Sequence, residues 1–474
     1  MAYEMVIGLE VHTELATKTK IFCSCPTQFG GEPNTHVCEV CSGMPGTLPV
    51  LNKKVVEYAI RTGLATHCNI TRMNKFDRKN YFYPDLPKAY QISQLYLPIC
   101  TEGYVELTGG KKIRIKEIHM EEDAGKLIHD ATPDGTLADY NRCGVPLLEI
   151  VSEPDFRSAE EVVDYIEKLR AILQFTGVSD CKMQEGSLRA DINLSVREKG
   201  SDTLGVRTEM KNMNSLRAIA RAINSEFERQ AEILEDGGKV VQETRRWDDA
   251  KGESSGMRSK EDAQDYKYFP EPDLPPIVIT DEQIEAIRAQ MPELPEDKKR
   301  RYMEELGLPE YDTGILTGSV ALVELFETVS ELCGDAKTTS NFIMGDVMRL
   351  LKDAGKQPEE MDFDPAALAT LIKLLNGKKI SRQTARKVFE KVFNEHIDPE
   401  QYIKENKLEI VTDTGAIKPV VEKVIANNEK SVGEYRGGKT QALQYLIGQC
   451  MRELRGQAPA QEVTKMLKEM LDNQ

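Results

Sequence analysis

Long apolar runs are missing from this sequence: nothing in it approaches the roughly 18 consecutive apolar residues of a membrane-spanning helix. The opening residues, Met1–Gly8, also lack the basic-then-apolar order of a secretory signal and run straight into a strand-like pattern. Both absences point to a cytoplasmic protein with no membrane partner. Cysteine is too sparse for a disulfide framework. Ten occur in 474 residues, and six of these (Cys68, Cys100, Cys143, Cys181, Cys333, Cys450) are scattered singly, as small apolar fillers in a reducing compartment. Positive charge is in deficit, and a net charge of −16 argues against a generic nucleic-acid binder. The deficit is uneven. Residues 401–474 carry 11 basic and 10 acidic side chains, and Leu371–Phe393 holds seven Lys or Arg against one Glu. Such a face can meet phosphates, although a solvated helix surface is the plainer explanation. Internal repeats, low-complexity stretches and a convincing nucleophile triad are lacking too.

A chain of this length exceeds one comfortable core, so several domains are expected. The first part reads as strands and turns with a few helices. Met5–Glu14 alternates, with Met5, Ile7, Leu9 and Val11 on one face and Glu10, His12 and Glu14 on the other. Leu188–Val196 alternates likewise, setting Asp191, Asn193 and Ser195 opposite Ile192, Leu194 and Val196, and Thr208–Lys211 places Glu209 and Lys211 together. Ser158 with Glu161 makes a capping box that opens a helix closed by Gly177, and a second helix runs from near Ser215 to Gly237-Gly238. The proline-rich stretch Tyr266–Pro276 reads as an extended linker or domain edge. After Pro292 and Pro295 the spacing becomes helical, with a break at His396–Pro399. The class is α+β, with a strand-rich domain over 1–292, a helical domain over 293–400 and a small helical tail over 401–474.

Four constellations could carry chemistry. Glu10 and His12 project from one strand face, and Glu121, Glu122, Glu149, Asp191 and Glu209 are further acidic candidates. Glu149 lies inside the apolar run Pro146–Val151, where a lone carboxylate is costly unless paired. Carboxylates with one imidazole suit a hard cation such as Mg²⁺; exposed strand faces are the alternative. Cys23 and Cys25, then Cys38 and Cys41, can close a tetrahedral thiolate site on a structural Zn²⁺. Gly433–Thr440 satisfies a phosphate-loop pattern, but the residues before it look helical where the motif needs a strand, so a glycine loop between helices is expected. Arg78–Gln94 is dense in aromatics and prolines, with Lys79 and Lys88 among them, and is either a packed loop or the wall of a substrate cleft.

Taken in order, Val6–His12, Phe76–Asp85, His119–Gly125, Asn141–Asp155, Glu185–Arg189, Lys211–Ser215 and Tyr268–Asp273 resemble the B subunits of the glutamyl/aspartyl-tRNA amidotransferases over almost the whole chain. The resemblance implies a ligase that forms a C–N bond. Its substrate is mischarged tRNA(Gln) or tRNA(Asn), whose side-chain carboxylate is phosphorylated with ATP and Mg²⁺. Ammonia from a glutaminase subunit then forms the amide, and a small third subunit holds the other two together. The resemblance implies a strand-rich cradle domain, a helical domain and a tail that meets tRNA. It also assigns His12, Glu122 and Glu149 to one metal ion and Glu10, Asp191 and Glu209 to a second acidic cluster. Glu121 stands ready to exchange roles with Glu122, while Lys79, Ser187 and Lys211 are candidates for substrate or nucleotide contacts. A contrasting reading is a non-catalytic tRNA-binding scaffold in the same kind of complex.

Overall fold

The computed structural model describes residues 3–132, 135–259, 266–410, 414–454, 458 and 460–472, so the outermost residues of the first and last expected domains lie outside the described residues. The chain divides into two compact units, Met1–Asp297 and Lys298–Gln474.

The first unit is built on a nine-stranded sheet in the order Glu253–Ser259, Glu243–Asp248, Thr208–Lys211, Leu188–Glu198, Tyr3–Glu14, Pro146–Ser152, Lys112–Glu122, Cys100–Glu106 and Asn69–Ile70. Neighbours are antiparallel except Thr208–Lys211 with Glu243–Asp248. The first strand of the chain is therefore the middle of the sheet. Its period of two sends Ile7, Leu9 and Val11 to one side and Glu10, His12 and Glu14 to the other. Three helices, Lys53–Ala65, Ala159–Phe175 and Leu216–Glu235, seal the apolar side. Their Ile60, Tyr165, Leu169, Ile219 and Ile223 join Ile7, Leu9, Ile118, Ile150 and Ile192 in one core. Each fully buried Ile or Leu there contributes about 1.5–3 kcal/mol. Asn52, Ser158 and Ser215 cap the three helices by accepting backbone N–H groups. The box expected at Ser158 is only half formed, because the Glu161 carboxylate takes the N–H of Arg157 instead, at 2.7 Å. Gly177 and Gly237 follow two of the helices with φ of 66° and 76°.

The stretch read as a linker, Tyr266–Pro276, is extended but firmly attached. Phe269 and Pro270 pair antiparallel with Arg78 and Asp77, and Ile277 and Val278 pair with Asn74 and Met73. Glu271 and Leu274 are buried, and Ile284 of the following helix, Asp281–Arg288, joins the first core. Proline at a sheet edge costs no ladder hydrogen bond, which is how so proline-rich a segment can still be a strand.

The elements after Pro295 are helical. They carry two separate cores, one from Tyr302 to Ile403 and one from Ile417 to Leu471. The expected break at His396–Pro399 is a turn: His396 takes φ of 51°, and Asp398 caps the helix Pro399–Glu405. Ile403 of that helix belongs to the preceding core, which thus runs past residue 400.

Candidate functional site

The open face of the sheet is polar, and register decides what meets there. His12 pairs with Glu149 on one side and Arg189 on the other, and Glu149 pairs with His119. Residues directly opposite in antiparallel strands share a face, so His12, Glu149 and His119 form one row. Glu121, two residues beyond His119, falls on the same face. Glu122 does not: it points with Ile118 and Met120 to the other side. Glu121 therefore takes the place that the sequence resemblance assigned to Glu122, and the cluster that forms is His12, Glu121 and Glu149, with one ligand atom of each within 4.8 Å of the others. His12 Nε2 and His119 Nδ1 each stand 3.8 Å from the Glu149 carboxylate. Gln91 Nε2 and Ser93 Oγ both donate to Glu121, at 2.9 Å.

Burial pushes the Glu149 pKa well up, and the neighbouring Glu121 charge pushes it further. Glu121 is buried as well, yet its hydrogen bond with Glu149 and the charge of Lys79 hold it below the usual carboxylate range. The pair thus shares a proton. Two carboxyl groups this close cannot both ionise unaided. Burial lowers the His12 pKa, keeping its imidazole neutral with a free lone pair. A neutral imidazole and two acid groups that need either a proton or a cation fit a divalent metal.

Beside this row lies a second acidic group. Asp191 pairs with Glu10 across the central strand, and Glu209 lies next to Asn193, whose amide donates to Glu10 at 3.0 Å. The carboxylates of Glu10, Asp191 and Glu209 also converge within 4.8 Å. Lys211 is the internal counter-ion here, bound to Asp191 and 2.9 Å from Glu209. Burial works against its charge, but the two carboxylates outweigh that and raise its pKa.

Lys79 enters from a separate three-stranded sheet, where Asp77–Asn80 lies between Phe269–Pro270 and Tyr90–Ser93. Its ammonium is 5.1 Å from the centre of the Tyr266 ring and 6.0 Å from that of Tyr81. Burial disfavours its charge, but Glu121, Tyr268 and Glu149 raise its pKa; across the strand pair it stands opposite Gln91, whose amide donates to Glu121 of the first cluster. Ser187 is otherwise engaged: its hydroxyl donates to Asp180 at 2.5 Å and accepts from the Lys182 N–H at 2.8 Å, closing a turn.

On the far side of the sheet, Glu122 binds the Lys88 ammonium and accepts the Ile92 N–H at 2.9 Å. These residues wall a cavity shared with Lys20, Phe22 and Cys41. Cys23, Cys25, Cys38 and Cys41 gather there with all four sulfurs within 4.8 Å of one another. Cys41 Sγ is 4.0 Å from that of Cys25 and 3.9 Å from that of Cys38. Sulfurs of a tetrahedral zinc site, with Zn–S of about 2.3 Å, stand about 3.8 Å apart, so the donor set fits the ion. The Cys41 thiol is held low by a hydrogen bond from Cys23, by the Cys38 N–H and by the fully buried Lys20 ammonium 3.5 Å away. Gly43, with φ of 68°, lets the cysteine knuckle close on this loop: a Cβ there would stand 2.5 Å from Lys88 Cγ.

The phosphate-loop pattern falls where two helices meet. Gly433 lies inside Glu429–Arg436, Lys439 precedes Thr440–Glu453, and a helix rather than a strand, Thr414–Asn427, comes before them. His119 and Arg189 were not singled out in the sequence. His119 could have been found from its two-residue spacing to Glu121 on an alternating strand, whereas Arg189 needed the register with His12.

Residues 5–285 match the GatB/GatE catalytic domain and residues 324–471 match the GatB domain. The chain is 60% identical over 472 residues to the aspartyl/glutamyl-tRNA(Asn/Gln) amidotransferase B subunit of Lachnoclostridium phytofermentans, covering 99% of each chain. Identity to the protein of the same description from Caldicellulosiruptor saccharolyticus is 59% over 478 residues, with both chains fully covered. For that of Thermoanaerobacter pseudethanolicus it is 54% over 474 residues, covering 99% of this chain and 100% of the other. Matching domains at both ends and full-length likeness to these relatives lead to one conclusion: the chain belongs to the family of B subunits of the aspartyl/glutamyl-tRNA(Asn/Gln) amidotransferases.

Proposed function

We propose that this chain is the transamidation subunit of a tRNA-dependent amidotransferase. It phosphorylates the side-chain carboxylate of Glu-tRNA(Gln), Asp-tRNA(Asn) or both with ATP, and amidates the product with ammonia from a glutaminase partner; a small third subunit completes the complex. The meeting of His12, Glu121 and Glu149 on the open face of a sheet whose other face is sealed by helices carries the reading. In the first step a substrate carboxylate oxygen attacks the γ-phosphorus of ATP, and the bond to ADP breaks. In the second, ammonia attacks the acyl carbon, phosphate leaves, and a proton is shed from nitrogen.

His12, Glu121 and Glu149 would hold Mg²⁺, which when bound neutralises charge on phosphate oxygens. Lys79, beside the same cluster, brings a fixed positive charge to the incoming carboxylate or phosphate. The carboxylates of Glu10, Asp191 and Glu209, partly balanced by Lys211, are suited to take the proton that nitrogen loses. The four cysteines fit a structural zinc, since a closed thiolate set leaves no position for substrate. The tail domain is assigned to the body of the tRNA.

The test is phosphate release from ATP that depends on mischarged tRNA, measured in Glu121→Ala and Glu149→Ala. Loss in both supports the mechanism. Full activity in both would leave the chain a tRNA-binding scaffold whose chemistry resides in its partners.

A further inference from the structure

Aromatic residues make up only 6% of this chain, yet ten residues in two segments, 78–83 and 266–269, contain six of them. The segments are joined by backbone: Asn80 N–H donates to Tyr266 O at 2.9 Å, and Phe269 pairs with Arg78. Tyr81 and Tyr266 lie with ring centres 5.7 Å apart, and Tyr266 and Tyr268 6.1 Å apart, both edge-on. Lys79 sits against this wall, and Gln91, opposite it on the neighbouring strand, donates to Glu121 of the carboxylate row. The three tyrosines are only half-buried, and Phe82 beside them is 88% exposed. A cluster placed only for core packing would be covered.

The neighbouring charge narrows what this wall can hold. The open face of the sheet presents Glu10, Asp191, Glu209 and the proton-sharing pair Glu121 and Glu149, balanced only in part by Lys211, so its net negative charge repels a phosphodiester backbone. A nucleic-acid end brought close to it must be gripped by its base, whose π-face carries no charge and stacks on aromatic rings. We propose that Tyr81, Tyr266 and Tyr268 form a stacking seat for the unpaired 3′-terminal nucleoside of the acylated tRNA, holding the ester-linked amino acid beside Lys79 and the carboxylate row. This inference rests on the proposed function for the identity of the substrate, and it adds the place where the acceptor end is held.

The test uses the full chain co-expressed with the glutaminase and small subunits, and glutamyl-tRNA(Gln) whose terminal adenosine is replaced by the 2-aminopurine riboside. Stacking quenches 2-aminopurine, so its fluorescence should fall on binding to the unaltered protein. The double change Tyr81→Leu/Tyr266→Leu should abolish the quench and weaken binding, read by anisotropy, about 5- to 100-fold. The corresponding Phe variants, which keep the rings, should retain both. A second arm needs no variant: tRNA trimmed of its terminal nucleoside should lose affinity for the unaltered protein by a comparable factor. An undiminished quench in the Leu pair, no quench with tRNA fully bound to the unaltered protein, or unchanged affinity for trimmed tRNA each overturns the seat. The chemistry is judged separately. If Glu121→Ala keeps its ATP-dependent phosphate release, the proposed mechanism fails while the quench still decides the seat; if tRNA does not bind at all, both fall.

Discussion

Arg78 is the clamp that holds the proline-rich segment to the first unit, and its loss has a calculable cost. Its guanidinium meets Glu271 through two bonds, Nε at 2.7 Å and Nη2 at 2.9 Å, and reaches Asp273 at 3.0 Å. Glu271 is only 3% exposed. Replacing Arg78 with Met preserves much of the apolar stem but removes the guanidinium, which lies over the rings of Tyr90 and Phe269, and strands a buried carboxylate without its counter-charge. Breaking one side of a buried pair costs about 3–5 kcal/mol, because the remaining charge is no longer compensated. With an m-value of about 3 kcal/mol per molar urea, the midpoint should fall by about 1–1.7 M. The chain offers its own probe: its single tryptophan, Trp247, is 1% exposed in the core of the first unit, so its emission follows that unit. Arg78→Met with Glu271→Leu should recover most of the loss, since an apolar replacement removes both charges together. A single variant within about 1 kcal/mol of the parent, or a double variant no better than the single, would refute the clamp.

Glu121→Gln should reduce tRNA-dependent ATP consumption about 100- to 1,000-fold, whereas Glu122→Gln should stay within a few-fold, because the two side chains leave opposite faces of one strand. Equal losses in a steady-state phosphate assay would count against this division. Purified protein should carry zinc in stoichiometric amount by elemental analysis, and Cys38→Ser should lose it together with thermal stability of the first unit. Zinc-free protein that melts unchanged would remove the structural role. Lys439→Ala should leave ATP turnover intact, since its glycine loop joins two helices; abolished turnover would restore the phosphate-loop reading.

The central strand was legible from its alternation, because Ile7, Leu9 and Val11 against Glu10, His12 and Glu14 is a pattern only a half-buried strand satisfies. The cysteine set was legible from spacing alone. Three features were not. Glu121 and Glu122 are adjacent acids, and which of them meets His12 depends on pairing with Pro146–Ser152, a contact about 25 residues away in sequence that no local pattern encodes. The segment Tyr266–Pro276 read as a linker because its prolines are visible in the sequence, while the Arg78 clamp and the strand it pairs with lie nearly 200 residues earlier. Ser187 looked like a free hydroxyl because the turn that absorbs it, through Asp180 and Lys182, forms only when the loop folds back.

The strand Lys112–Glu122 ends in two acids that face opposite ways, one into the carboxylate row and one toward the cysteine knuckle. A slip of one residue in its pairing would trade them, offering Glu121 to Lys88 and Glu122 to His12. The apolar companions oppose that slip: Ile118 and Met120, both fully buried, would be turned out onto the polar face by it. Two ordinary hydrophobic side chains thus choose which glutamate faces the histidines, so a conservative change at either one can alter the site without touching any group that takes part in it.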